Sequence, residues 1–375
     1  MNTRERTLAV FNYQNYDQMP VVHFGYWTEL LAKWHKEGHL TADEAEFYFD
    51  KNEYDKIICD KLGFDFCWGH QLTPRHKVHP FFEKKILETH PDGVIRYINP
   101  DGLIEETDPN TTTIPATIGT LMTGREAWEE LYKPRLQSGP ARHGTPDELA
   151  RWKQLSEETT DAPFGVYAGS MFGYARDMIG VEALSYLQVD DEDLFIEIID
   201  TVANLSFETV KVVLEAGLRV DFLHFWEDIC FKNGPLINPA TFEKYVAPHY
   251  KKITGMAKAH GVNLFSVDSD GLIDKLIPAW FANGVNIMFP IEVGTWGASI
   301  APWREKYGRE LRGVGGVRKS VLGEDRAAID AEIERIKPLV DLGGYIPCPD
   351  HRISLEATWD NVRYYADRMR ATFCR

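Results

Sequence analysis

From about residue 160 onward the sequence alternates short apolar runs with longer amphipathic stretches, and no other feature narrows the fold so far. The runs are Phe164 to Gly169, Asp221 to Glu227, Val262 to Asp268, Val285 to Pro290, Leu311 to Gly316 and Gly344 to Cys348. Runs of this length separated by helical patterns predict parallel βαβ units rather than a sandwich of hairpins. Four are preceded by a glycine, at Gly217, Gly261, Gly284 and Gly343, where the left-handed residue that ends a helix belongs. The helix expected from Asp190 to about Ala216 carries Leu194, Ile198, Val202 and Leu205 on one face, the stripe needed to cover a sheet. Asn238 predicts an N-cap with Pro239 at the first helical position, and Pro248 predicts a kink before Gly261 closes that helix.

Two earlier runs, Met19 to Gly25 and Phe64 to Gly69, bring the strand count to eight, the number a closed parallel barrel requires. The expected fold is therefore α/β, a (β/α)8 TIM barrel occupying residues 1–375 as a single domain. More than 90 residues separate the second run from the third. Within that gap, Lys85 to Thr107 shows strand-like segments around Asp92-Gly93 and Asp101-Gly102, dipeptides preferred in tight turns. A β-hairpin insertion between the second and third strands is expected there, then surface helices to about Leu155.

Charge excludes several partners. Lys and Arg number 41 against 57 Asp and Glu, giving −16, and no basic cluster is present to track a phosphate backbone. Nucleic acid and anionic membranes are excluded on that ground. The apolar-rich stretch Leu276 to Val293 is interrupted by Pro278, Asn283, Asn286 and Pro290, which argues against a membrane span. The charged start, Met1 to Arg6, reads as no signal peptide, and the five scattered cysteines fit reduced thiols, so a cytoplasmic location is expected. Dinucleotide and ATP fingerprints, a zinc-protease helix and a serine-nucleophile turn are all lacking.

In a parallel barrel the functional side chains project from the C-terminal strand ends. Those positions are acidic and aromatic here: His23, Tyr26 and Trp27; Trp68 and His70; Phe172 and Arg176; Trp226, Glu227 and Asp228; Asp268 and Asp270; Glu292; Cys348, Asp350 and His351. Flat apolar walls beside clustered carboxylates suit an aromatic ligand, and neighbouring carboxylates raise one another's pKa. His35, His39, His76, His79, His90 and His143 fall in helices or loops and are read as solvated.

Several segments carry a resemblance. Arg4-Glu5-Arg6 through Asp17 to Met19-Pro20-Val21-Val22, Leu62-Gly63-Phe64-Asp65, Asn238-Pro239-Ala240 to Pro248-His249-Tyr250-Lys251-Lys252, Asp268-Ser269-Asp270-Gly271, and Gly343-Gly344-Tyr345 to Pro349-Asp350-His351 look like landmarks of uroporphyrinogen decarboxylase-like proteins and the corrinoid-linked methyltransferases related to them. The resemblance spans nearly the whole chain and implies a barrel. Uroporphyrinogen decarboxylase itself carries an arginine-rich loop after its first strand, where this chain reads His23-Phe24-Gly25-Tyr26-Trp27 with no arginine from there to Arg75. That departure, with the net negative charge, disfavours a polycarboxylate tetrapyrrole. The family's zinc methyltransferases carry His-x-Cys after the fifth strand and a further Cys near the eighth. Asp268 and Asp270 stand in the first two positions here and Cys348 matches the third, so the thiol-activating ligand set is mostly replaced by oxygen.

The branch of the family that remains implies a methyltransferase component of a corrinoid-dependent O-demethylase. It would move a methyl group from a small methoxylated aromatic to Co(I) of a cobalamin-type corrinoid held by a partner protein. A divergent lyase of the decarboxylase kind and a non-catalytic corrinoid or ligand carrier are the alternatives. For the transfer, Glu227, Asp268 and His351 are the catalytic candidates for protonating the departing oxygen. His23, Tyr26, Trp27, Trp68, Phe172, Arg176, Trp226, Asp270 and Glu292 are the substrate-binding candidates. A zinc ion held by Asp268, Asp270, Cys348 and His351 is the other way to assist that oxygen, and pairing into a homodimer stays open.

Overall fold

The computed structural model describes residues 1–108 and 115–374. Six strands form one parallel ladder: β7 (Gly165–Gly169), β8 (Phe222–Trp226), β11 (Leu264–Asp268), β12 (Ile287–Ile291), β13 (Arg312–Val317) and β14 (Tyr345–Pro349), in the order β14-β13-β12-β11-β8-β7. Each lies on a run expected to be a strand. Between β8 and β11, β9 (Cys230–Phe231) and β10 (Gly234–Pro235) form a two-residue hairpin. The fold is α/β, with helices joining successive parallel strands.

The first two runs behave differently. β1 (Val22–His23) and β2 (Phe66–Cys67) pair only with each other, so the eight expected strands do not share one closed ladder. Two isolated parallel bridges, Leu72 with Val166 and Tyr26 with Ile353, flank the pair on either side. β1 follows Pro20, which has no N–H to give a ladder, and the chain turns away at Gly25 (φ +86°) and Gly69 (φ +130°). Those three residues keep both strands short.

The insertion is also larger than one hairpin. β3 (Lys85–Thr89), β4 (Ile95–Ile98), β5 (Leu103–Thr107) and β6 (Ala116–Thr120) make a four-stranded antiparallel sheet in sequence order. Gly93 and Gly102 adopt φ of +92° and +90° in the two turns. β6 falls in the stretch expected to begin the surface helices; residues 109–114 of that stretch lie outside the described residues. Helical turns follow, ending with the helix Pro146–Glu158.

The helices follow their sequence signals. Asn238 caps Pro239–Thr241 by accepting from Ala240 N–H, and all four glycines before the strands have positive φ. The bend expected at Pro248 is a π-helical turn, Phe242–Val246, directly before the helix Ala247–Ala259. The missing proline N–H is absorbed where the backbone ladder already shifts. Helix Glu192–Glu215 buries Leu194, Ile198, Val202 and Leu205 as its stripe requires. One continuous apolar core runs from Val10 to Phe373. No helix among the described residues is long and apolar enough to cross a membrane, and no cysteine is in a disulfide.

Candidate active site

The C-terminal strand ends converge on a chamber of about 340 Å³. β1 contributes Phe24 and Trp27 just beyond its end, β2 contributes Trp68 and His70, β7 contributes Tyr167, and β8 contributes His224, Trp226 and Asp228. β11 adds Asp268 and Asp270, and the turn after β14 adds His351 and Arg352. A wider groove of about 1200 Å³ lies alongside, between the insertion sheet, the helix Phe172–Ile179 and the β9–β10 hairpin. Asp228 and Asp270 line both spaces, so they form part of the wall the two share.

The chamber's chemistry is set by burial. Asp268 is buried, and desolvation first, then the nearby charges of Asp270 and Asp228, push its pKa well above the ordinary carboxyl value. Asp228 and Glu292 are also raised by burial. Desolvation acts the other way on histidines, lowering His224 to about 3 and His70 further still, so both imidazoles are neutral. Burial and the neighbouring carboxylates thus favour the protonated form of Asp268, beside imidazoles that are neutral. Asp228 itself holds a left-handed conformation, φ +44°, with its carbonyl accepting from Arg176, whose guanidinium also lies 5.3 Å over the Trp226 ring.

One set of side chains fits a metal. Ligand atoms of Asp270, Glu292 and His351 lie within 4.8 Å of one another, and Asp270 Oδ1 and His351 Nδ1 are buried without hydrogen-bond partners. Two carboxylates and an imidazole are donors that suit zinc. Trp27 stacks on the His351 ring at 5.7 Å, fixing its plane, and Glu292 is held by Gly271 N–H at 2.5 Å and Thr295 Oγ at 3.2 Å. A second group, His23, Asp55 and Cys67, does not fit. His23 Nδ1 accepts from Gly25 N–H at 2.9 Å, so its proton sits on Nε2, against Cys59 Sγ and Asp55, and no lone pair remains there for a cation.

A family model for uroporphyrinogen decarboxylase matches residues 136–372, from ahead of β7 to the last helix. The chain belongs to the uroporphyrinogen decarboxylase family. A solved structure described as a methyltransferase from Methanosarcina mazei overlays with a TM-score of 0.61 at 15% identity, covering 99% of each chain. At that identity the likeness concerns the fold. A putative vitamin-B12 independent methionine synthase from Listeria monocytogenes overlays with a TM-score of only 0.36, at 18% identity over 61% of this chain and 70% of that one, and carries no argument. No curated protein matches the sequence.

Set against this family frame, the expected site residues divide. Trp27, Trp68, Trp226, Asp268, Asp270 and His351 line the chamber, while Arg176 and Glu292 line the outer groove. Glu227, the first catalytic candidate, lies elsewhere. It is fully buried and accepts from the N–H groups of Met171, Phe172 and Gly173, at 2.8, 3.1 and 2.7 Å, and from the Tyr250 hydroxyl. Burial raises its pKa and these donors pull it back down. Three of these bonds hold the start of the helix Phe172–Ile179 and the fourth ties in Tyr250, a structural task. His23 and Tyr26 are buried and stacked on each other behind the wall at 4.8 Å, and Phe172 packs edge-on against Phe195. Cys348 is fully buried in β14 opposite Gly316, and burial pushes its thiol well up. Among the described residues, neither Cys348 nor Asp268 belongs to a metal-competent group, and Glu292 takes their place.

Other lining residues had no strong sequence signal. Tyr167 and His224 sit inside strands and look like core, and Asp50, Lys51 and Arg352 come from loops. His76, read as solvated, is buried 4.2 Å from the Tyr167 ring, with a pKa pushed down to about 4. The signal that would have found His224 is alternation: it shares a strand face with Trp226 and Phe222.

Proposed function

We propose that the chain is the methyltransferase component of a corrinoid-dependent O-demethylase, taking a methyl group from a small methoxylated aromatic and passing it to Co(I) of a separate corrinoid protein. The observation that supports this most is the wall the two spaces share at Asp228 and Asp270. An aromatic-walled chamber sized for one ring lies across an acid cluster from a groove wide enough for a partner's prosthetic group. Cleaving an aryl methyl ether breaks the methyl–oxygen bond, the methyl goes to cobalt, and the oxygen leaves as a phenol once it has gained a proton. Burial favours the protonated form of Asp268, which could supply that proton, and Trp68 and Trp226 give the ring flat faces to lie on. A zinc ion on Asp270, Glu292 and His351 would supply Lewis acidity for the same oxygen. Those three residues would hold it, with Trp27 keeping His351 in plane.

The family match also keeps decarboxylation in view, but the two guanidiniums at the site are engaged. Arg352 pairs with Asp50 and Arg176 with Asp177 and Asp228, leaving no free arginine to hold a polycarboxylate. Incubation with reduced corrinoid protein and a panel of methoxyarenes decides the reading. Phenol release matched by methylated cobalt is expected; release of carbon dioxide from uroporphyrinogen with no methylation of cobalt would replace the reading by the decarboxylase one.

A further inference from the structure

His351 brings an imidazole to the metal-competent cluster, its Nε2 lying 3.3 Å from Asp270 Oδ2. A ligating histidine is ordinarily held by an acceptor for its other ring N–H. Here Nδ1 is buried with no hydrogen-bond partner among the described residues, so that restraint is missing. Contacts with the segment after β1 replace it: Trp27 stacks on the ring at 5.7 Å, and Phe24 meets it edge-on at 5.4 Å. The imidazole is therefore only as well placed as that segment is against the turn after β14.

β1 and β14 belong to separate sheets, and the two segments that follow them meet through the isolated bridge of Tyr26 with Ile353. Ile353 N–H donates to the Gly25 carbonyl at 3.0 Å, and Trp27 N–H to the Ile353 carbonyl at 3.2 Å. A third segment locks the pair. The Arg352 guanidinium donates to the Tyr26 carbonyl at 3.3 Å and, through both terminal nitrogens, to the Asp50 carboxylate, one of those bonds being 3.1 Å. The Tyr48 hydroxyl donates to Asp50 Oδ1 at 2.7 Å. Lys51 then leads towards the helix Glu53–Leu62 through a left-handed conformation, φ +67°, held by its N–H donating to Asp55 Oδ2 at 2.9 Å. Glycine at 25 leaves room for the ion pair, because a Cβ there would collide with both the guanidinium and the Asp50 carboxylate. Arg352 directly follows His351, so a fixed guanidinium restrains the backbone that carries the imidazole.

We propose that Asp50 and Arg352 are positioning residues for the metal cluster: their ion pair clasps the turn after β14 to the segment after β1 and so sets His351 for ligation. This rests on the metal reading of Asp270, Glu292 and His351. Zinc binding by the full chain, stripped of metal and read by competition with a chromogenic chelator, tests it, with cobalt(II) in place of zinc as a spectroscopic probe of ligand geometry. The clasp predicts zinc binding weaker by about tenfold or more in Arg352→Gln and in Asp50→Asn, with shifted cobalt(II) absorption bands, in chains that keep the parent's circular dichroism. The double variant should bind no more weakly than either single one, because each breaks the same contact. Arg352→Lys keeps the charge without the two-pronged contact and should fall between parent and Arg352→Gln. Zinc bound equally by the parent and every variant, with one cobalt(II) spectrum throughout, overturns the clasp and leaves the cluster standing, as do losses that add in the double variant. A parent chain that binds no zinc overturns the clasp together with the metal reading.

Discussion

Asp268 sits at the end of β11 with Asp270 two residues on and Asp228 beyond β8, the neighbouring strand. Its raised pKa means the folded chain keeps a proton that the unfolded chain releases. The stability this carries is full below the ordinary carboxyl value and is lost as pH rises through the folded value. Asp268→Asn removes that loss. The variant should be more stable than the parent at neutral and alkaline pH, by about 1 kcal/mol or roughly 2 °C, and indistinguishable at low pH, as thermal melts across pH will show. Activity should move the other way. If Asp268 supplies the proton, transfer in the parent falls as pH rises past its folded pKa, and Asp268→Asn drops the rate by about 10²-fold or more. The metal cluster gives a separate expectation: about one zinc per chain by elemental analysis, lost in His351→Ala and in Asp270→Ala, and retained in Cys348→Ala.

At the scale of elements, the helix Phe172–Ile179 depends on a carboxylate from another strand. Its first N–H groups have no partner in their own helix, and Glu227 at the end of β8 accepts from three of them. Glycine at 173 allows the approach, because a Cβ there would strike the Glu227 carbonyl. Glu227→Ala orphans the three donors and the Tyr250 hydroxyl in a dry interior, and should cost about 3 kcal/mol or more by denaturant unfolding. Glu227 and Asp268 look alike in the sequence, each an acid closing an apolar run. What separates them is where the neighbouring helix begins, which no local pattern shows. The six ladder strands and their glycine stops were legible because apolar runs and helix ends are local signals. β1 and β2 were legible as strands but not as a separate pair, since Pro20, Gly25 and Gly69 act through hydrogen bonds made or withheld at a distance. β6 was missed because its exposed residues show no apolar alternation.

For the whole molecule, the strand order brings acids from β8 and β11 and a histidine from the turn after β14 to one rim although more than 100 residues separate Asp228 from His351. Asp268, Asp270 and His351 were readable because they follow recognisable strands. Lys51, Tyr167 and His224 were not: two sit where side chains usually fill a core, and the third depends on a left-handed turn. On the proposed reading this rim hands a methyl group outward past Asp228 and Asp270. A methoxyarene carrying a carbon-13 methyl, mixed with the chain and stoichiometric reduced corrinoid protein in a single turnover, tests it most directly. The account predicts that the label appears on cobalt in step with phenol, one for one, and that Asp268→Asn slows both together. Phenol without labelled cobalt, or label on cobalt at the same rate without the chain, would contradict it.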